Sequence, residues 1–171
     1  MKALNRSDFG LIIVALAALL MAGSPLSFAA DTSEIESASK AALAKLVETN
    51  PAAAALEKKA EAVLVFPSIL KAGLIIGGQG GNGALFVDGQ AVAYYNIAAA
   101  SYGLQAGAQH FGYAMFLMTD KAREYLDSSD GWEVGVGPSI VVVDDGVGKS
   151  LTTTTAQDDV YAFIFSQTGI M

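Results

Sequence analysis

The chain has 171 residues, 53% of them hydrophobic and 16% charged, with a mean hydropathy of +0.43. That length suits one domain, and that composition excludes a disordered chain, which buries too little apolar surface to offset its ordering entropy. A net charge of −7 removes any general attraction to nucleic acid, zero Cys removes disulfides, thiol catalysis and Cys-held metal sites, and a single His leaves little for a metal centre.

The N-terminus reads as an export signal. Lys2 and Arg6 precede an apolar run over 9–23, Pro25 breaks it, and Ser27-Phe28-Ala29 places small residues at the −3 and −1 positions of a cleavage site. The run is shorter than the ~20 residues a membrane-spanning helix needs. We therefore expect a secretory signal peptide over 1–29 and a single domain over 30–171, exported and periplasmic in a Gram-negative source. Cleavage near Ala29 takes away Lys2, Arg6 and Asp8 and leaves the domain more acidic still.

Ser33-Glu34-Ile35-Glu36 has the capping-box spacing, which predicts a helix over 33–48 starting at Ser33. Ile35, Ala38, Ala42, Leu43, Leu46 and Val47 form its apolar stripe, and Glu36 and Lys40 pair at i, i+4 on another face. Asn50-Pro51 caps and opens a second helix over 51–62. A compact strand over 63–66 is expected to close at Pro67, followed by a helical turn over 68–72 and a strand over 73–77. Asp88-Gly89 favours a type I′ turn and predicts a hairpin between 84–87 and 90–95. The alternation over 101–118 predicts one or two strands with closely approached backbones. Thr119-Asp120 caps a short helix to 126, and strands are expected over 132–136, 139–143, 151–155 and 160–165. Many short strands with short connections imply an α+β fold. Its core would be a mainly antiparallel curled sheet or partial barrel, closed by N-terminal helices and one short later helix.

Several motifs resemble chemistry without its context. Gly78-Gln79-Gly80-Gly81-Asn82-Gly83 fits a dinucleotide fingerprint, but a strand and hairpin follow where a helix must receive the pyrophosphate. Gly148-Lys149-Ser150 resembles the end of a phosphate-binding loop, yet Val143 stands where its first Gly belongs. His110 is a candidate general base beside Ser101 or Ser139, though neither serine lies in a nucleophile elbow. Asp144-Asp145 and Asp158-Asp159 offer oxygens for a Ca²⁺ without EF-hand spacing, and read more simply as solvated strand ends. No cofactor is implied.

A set of blocks in fixed order carries a family resemblance: 62–67 (AVLVFP), 71–78 (KAGLIIGG) with its Gly-rich continuation, Tyr95-Asn96, 103–109 (GLQAGAQ), 131–139 (GWEVGVGPS), 151–155 (LTTTT) and 159–165 (DVYAFIF). Together they resemble the bacterial SYLF domain over nearly all of 35–171. The resemblance implies phospholipid binding rather than catalysis, with membrane contact near the N-terminal amphipathic segment and basic residues. Here those are the stripe from Ile35 to Val47 and Lys40, Lys45, Lys58, Lys59 and Lys71. Gln79 stands where eukaryotic relatives tend to carry a basic residue, which weakens inositol phosphate recognition. The resemblance also implies one more strand after Gly169-Ile170-Met171, whose lack would leave a sheet edge unpaired. The expected function is thus an exported, non-enzymatic domain on an anionic phospholipid surface, without nucleic acid. The alternatives are an envelope scaffold without lipid affinity and, third, a hydrolase using His110.

Overall fold

The computed structural model describes residues 31–74, 76–102, 106–128, 137–143 and 158–170. The expected signal peptide, the strands over 132–136 and 151–155, Asp144-Asp145 and the 148–150 segment lie outside the described residues.

Helix α1 (Thr32–Thr49) starts from Asp31 rather than Ser33: the Asp31 carboxylate accepts from the Ser33 N–H at 3.0 Å. A charged cap also complements the positive end of the helix. Ser33 and Glu36 fall inside the helix, where Glu36 accepts from the Tyr94 hydroxyl at 3.1 Å. Asn50 caps α2 (Pro51–Glu57) as expected, accepting from the Ala52 and Ala53 N–H groups. That helix stops at Glu57, short of the expected 62, because the apolar run beginning at Ala62 joins the sheet instead.

Six strands follow: β1 (Ala62–Gly73), β2 (Ile76–Val87), β3 (Gln90–Tyr102), β4 (Gly107–Leu117), β5 (Ile140–Val142) and β6 (Val160–Ile170). Helix α3 (Asp120–Ser128) lies between β4 and β5, and the Thr119 hydroxyl accepts from the Ala122 N–H at its start, as expected. The strand order is β3-β2-β1-β4-β6-β5, antiparallel except for β5 against β6, in a curled sheet that does not close on itself. The structure is therefore the α+β arrangement expected, in its open form.

Three local expectations fail around Pro67. It does not end a strand and 68–72 is not a helical turn, because β1 runs on to Gly73, and the expected strand over 73–77 is divided, with Gly73 ending β1 and Ile76 and Gly77 opening β2. A bulge makes this possible. Pairing slips between Val65 and Leu70 toward β2 and between Phe66 and Ile69 toward β4, so the missing N–H of Pro67 falls where no regular ladder bond is required. The next turn joins β1 to β2 where Gly73 pairs with Gly77. At Asp88-Gly89 both residues take positive φ, 50° and 75°, as the expected hairpin turn demands.

Helices α1 and α2 cover one face of the sheet through Leu43, Leu46, Ala53 and Leu56, against Val63, Val65, Phe86, Phe116 and Phe163. Phe116 and Phe163 meet edge to face, with ring centroids 5.3 Å apart. On the other face α3 brings Ala122 and Leu126 against Leu64, Met115, Leu117, Val160 and Ala162. Coverage on both sides explains why 62–66, 114–117 and 160–163 are unbroken apolar runs rather than alternating ones. That double cover protects only half of the sheet. Beyond Ile69 in β1, before Gly83 in β2 and before Gly112 in β4, described residues are half-buried or exposed.

Candidate functional site

The register gives the molecule two unlike ends. Ala62 lies opposite Leu117, Val63 opposite Phe86, and Leu117 opposite Val160, so Glu61, Asp88, Asp120, Asp158 and Asp159 gather at the end of the sheet nearest α2 and α3. At the far end Gly73 lies opposite Gly77 and Gly107, and Ile76 opposite Tyr102. Among the described residues of 66–87, 89–119 and 160–170, Lys71 is the one formally charged side chain.

The five sequence-selected lysines do not form one patch. Lys40 and Lys45 lie exposed on α1, and Lys58 and Lys59 lie exposed in the turn before β1 with Glu57 and Glu61 on either side. Lys71 is half-buried in β1, opposite Gln79 on β2 and Gln109 on β4, and so shares one face of the sheet with both amides. At a strand's rise per residue, Lys71 stands roughly 30 Å from the start of β1. The apolar stripe of α1 faces inward. Leu43 and Leu46 are buried in the core, and Ile35, Ala42 and Val47 pack against it, while Ala38 lies exposed. Buried Ser39 donates from its hydroxyl to the Val65 carbonyl at 3.2 Å, fastening the helix to the central strand.

The largest exposed apolar groups at the far end escaped sequence reasoning. Leu74 and Ile76 are 74% and 71% exposed, with Leu70 at 43% close by. Their signal was a Gly-bounded apolar stretch with no charge after Lys71, which reads equally well as a buried strand.

His110 sits at this end too, opposite Leu70 and Thr168, with its Nδ1 3.4 Å from the Ser68 hydroxyl. Neither serine proposed for it is near. Ser101 is on β3, three strand spacings or about 14 Å away across the sheet. Ser139 is at the opposite end, where its N–H and hydroxyl both donate to the Asp159 carboxylate at 3.0 and 3.2 Å. Among the described residues no carboxylate lies at the far end to orient the imidazole, as a hydrolytic triad requires.

Asp159 is committed to structure. Besides Ser139, the Thr119 hydroxyl donates to it at 3.1 Å. The Ser139 N–H above all, then the Thr119 and Ser139 hydroxyls and the charge of Lys121, hold its carboxyl below the usual carboxylate range against an opposing desolvation effect. Asp158 accepts from the Tyr161 hydroxyl at 3.3 Å. Burial, together with hydrogen bonds to Glu36 and Asp127, raises the phenols of Tyr94 and Tyr95, and burial alone raises Tyr113. The Gly-rich 78–83 segment lies wholly within β2 and leads to the Asp88-Gly89 turn, with no helix after it to receive a phosphate. Among the described residues no group of three or more His, Asp or Glu side chains is placed to hold a metal, and no helix is long and apolar enough to cross a membrane.

No protein-family model matches this chain, and no curated protein matches it.

Proposed function

We propose that this chain is an exported, non-enzymatic domain of SYLF type that associates peripherally with anionic phospholipid in the cell envelope. The observation that carries the reading is the separation of charge from apolar surface. In a chain of net charge −7, the far half of the sheet carries no acidic residue among those described, and it carries Lys71 beside exposed Leu70, Leu74 and Ile76. A protein that repels an anionic bilayer on average thereby offers one end that does not. The ordered sequence blocks that resemble the SYLF domain support the same reading from a different direction. Vesicle flotation of the purified protein against phosphatidylglycerol-containing and purely zwitterionic vesicles, at low and moderate salt, tests it. Flotation with the anionic vesicles, weakened by salt, is expected. A folded protein that stays at the bottom of the gradient with both vesicle types removes the lipid reading.

One observation favours a scaffold role as second reading: β3 is an edge strand of uncharged residues, with Val92 and Tyr94 exposed and an outer edge unpaired by any described strand. Crosslinking to an envelope protein without vesicle flotation is the result that would favour it.

A further inference from the structure

Resting on the lipid reading above, we infer that the tip of the β1–β2 hairpin is the element that enters the bilayer. Leu74 and Ile76 insert at the boundary between headgroups and acyl chains, and the outer face of α1 stays in water. The tip lies at the uncovered end of the sheet, beyond the buried core and level with Tyr102 of β3 and Gly107 of β4. Gly73 and Gly77 pair across its base, where a side-chain carbon on Gly73 would come within 2.5 Å of the Gly77 Cα. The Leu74 N–H donates to the Ile76 carbonyl at 3.4 Å, so part of the turn's backbone is satisfied within the tip, as a low-dielectric setting requires. Ile69 is the last fully buried residue of β1, and at strand rise Leu74 lies roughly 16 Å beyond it. Two large aliphatic side chains at that end, each about three-quarters exposed, bury little of their surface in the fold that holds them.

Charge selects the occupant. Lys71 lies three residues before Leu74, with Gln79 and Gln109 opposite it in the register, so an ammonium and two amides stand just behind the apolar tip. A lysine stem lies readily along apolar surface while its ammonium reaches a phosphate. Ala72, Gly77 and Gly78 around the tip are small and uncharged, and no acidic residue is described nearby. An anionic bilayer accepts exposed apolar side chains backed by cation and amide, whereas a protein partner must supply a matching hollow.

The lack of Cys in the chain makes a direct test clean. Leu74→Cys and, as control on the exposed side of α1, Ala44→Cys are each labelled with the environment-sensitive fluorophore NBD. Each is then mixed with vesicles of equimolar phosphatidylglycerol and phosphatidylcholine. The label at 74 is expected to shift to the blue, brighten several-fold and be quenched by nitroxide carried on shallow acyl positions, while the label at 44 stays in water. Leu74→Asp with Ile76→Asp is expected to weaken vesicle partition about tenfold or more, with far-ultraviolet circular dichroism unchanged. Flotation of the unsubstituted protein with a dark label at 74 and an undiminished double variant overturns the tip assignment and leaves lipid binding standing. Absence of flotation in the unsubstituted protein overturns both. A dimer that dissociates on the double substitution, without vesicle association, replaces the bilayer with a second copy of the chain.

Discussion

Asp159 joins three segments that stand far apart in the sequence. Its carboxylate holds the Ser139 backbone and hydroxyl ahead of β5 and the Thr119 hydroxyl that caps α3, while its own carbonyl accepts from the Met118 N–H at 2.8 Å. Replacement by Ala leaves that backbone bond and the one from its own N–H to the Ser139 hydroxyl but strips those to the carboxylate, at a cost of about 1 kcal/mol; partial exposure to solvent keeps the figure at the low end. Its pH dependence follows from the lowered carboxyl. A group bound more weakly to its proton in the folded state stabilises the fold above its unfolded value, about 3.9, and that stability fades as pH falls through the lower folded value. Melting temperatures of the parent and Asp159→Ala are therefore expected to differ at neutral pH and to converge below about pH 4. A difference that persists unchanged into acid would show that the carboxylate's charge is not what holds the three segments. The sequence offered two adjacent aspartates as a cation site, but only the folded register reveals that one of them is already engaged by three donors.

At the scale of elements, the Gly-rich β2 shows what spacing alone leaves undecided. A side-chain carbon on Gly83 would come within 2.5 Å of the Val65 carbonyl, and one on Gly81 within 2.7 Å of the Ser68 carbonyl, because the β1 bulge at Pro67 swings its backbone toward them. Gly80 has no comparable neighbour, its closest atom lying at 3.6 Å. Gly83→Ala is thus expected to destabilise by about 1–3 kcal/mol, and Gly80→Ala to be neutral or to stabilise by up to about 1 kcal/mol through lost unfolded-state entropy. Chemical denaturation of the two variants makes the comparison, and equal costs would remove the bulge as the cause. Signals carried by two or three neighbouring residues were legible beforehand: Asn50-Pro51, Asp88-Gly89 and Thr119-Asp120 each marked its boundary. The bulge was not, because Pro67 ends a strand unless both neighbours slip register at the same point, and that is a property of three strands at once. The α1 stripe was legible as a pattern but not as a destination. A helix that packs on its own sheet and one that lies on a membrane differ in what is opposite them.

For the molecule as a whole, the antiparallel register turns a modest feature of the sequence into a polar object. The stretches 66–87 and 89–119 contain one charge, Lys71, and folding stacks them so that this charge stands at one end while Lys58 and Lys59 remain among acids at the other. The two sets of lysines cannot press one flat membrane together with the molecule upright, so charge reversal distinguishes the orientations. At about 1 kcal/mol per near-surface charge, Lys71→Glu moves two units of charge and is expected to weaken anionic-vesicle binding by about tenfold or more. The double change Lys58→Glu and Lys59→Glu, which moves four, is expected to alter it by less than about twofold if those residues face away from the bilayer. Flotation or vesicle titration at fixed ionic strength gives the ratio directly. Because larger charge change is paired with smaller expected loss, net charge alone cannot produce that order. The reverse ranking would place the bilayer against the helical end and return Lys40, Lys45, Lys58 and Lys59 to the role the sequence resemblance implies for them. It would also bring the acidic residues beside them near the bilayer, where salt screens their repulsion along with the lysines' attraction, so the same titration would record a shallower loss of binding with salt.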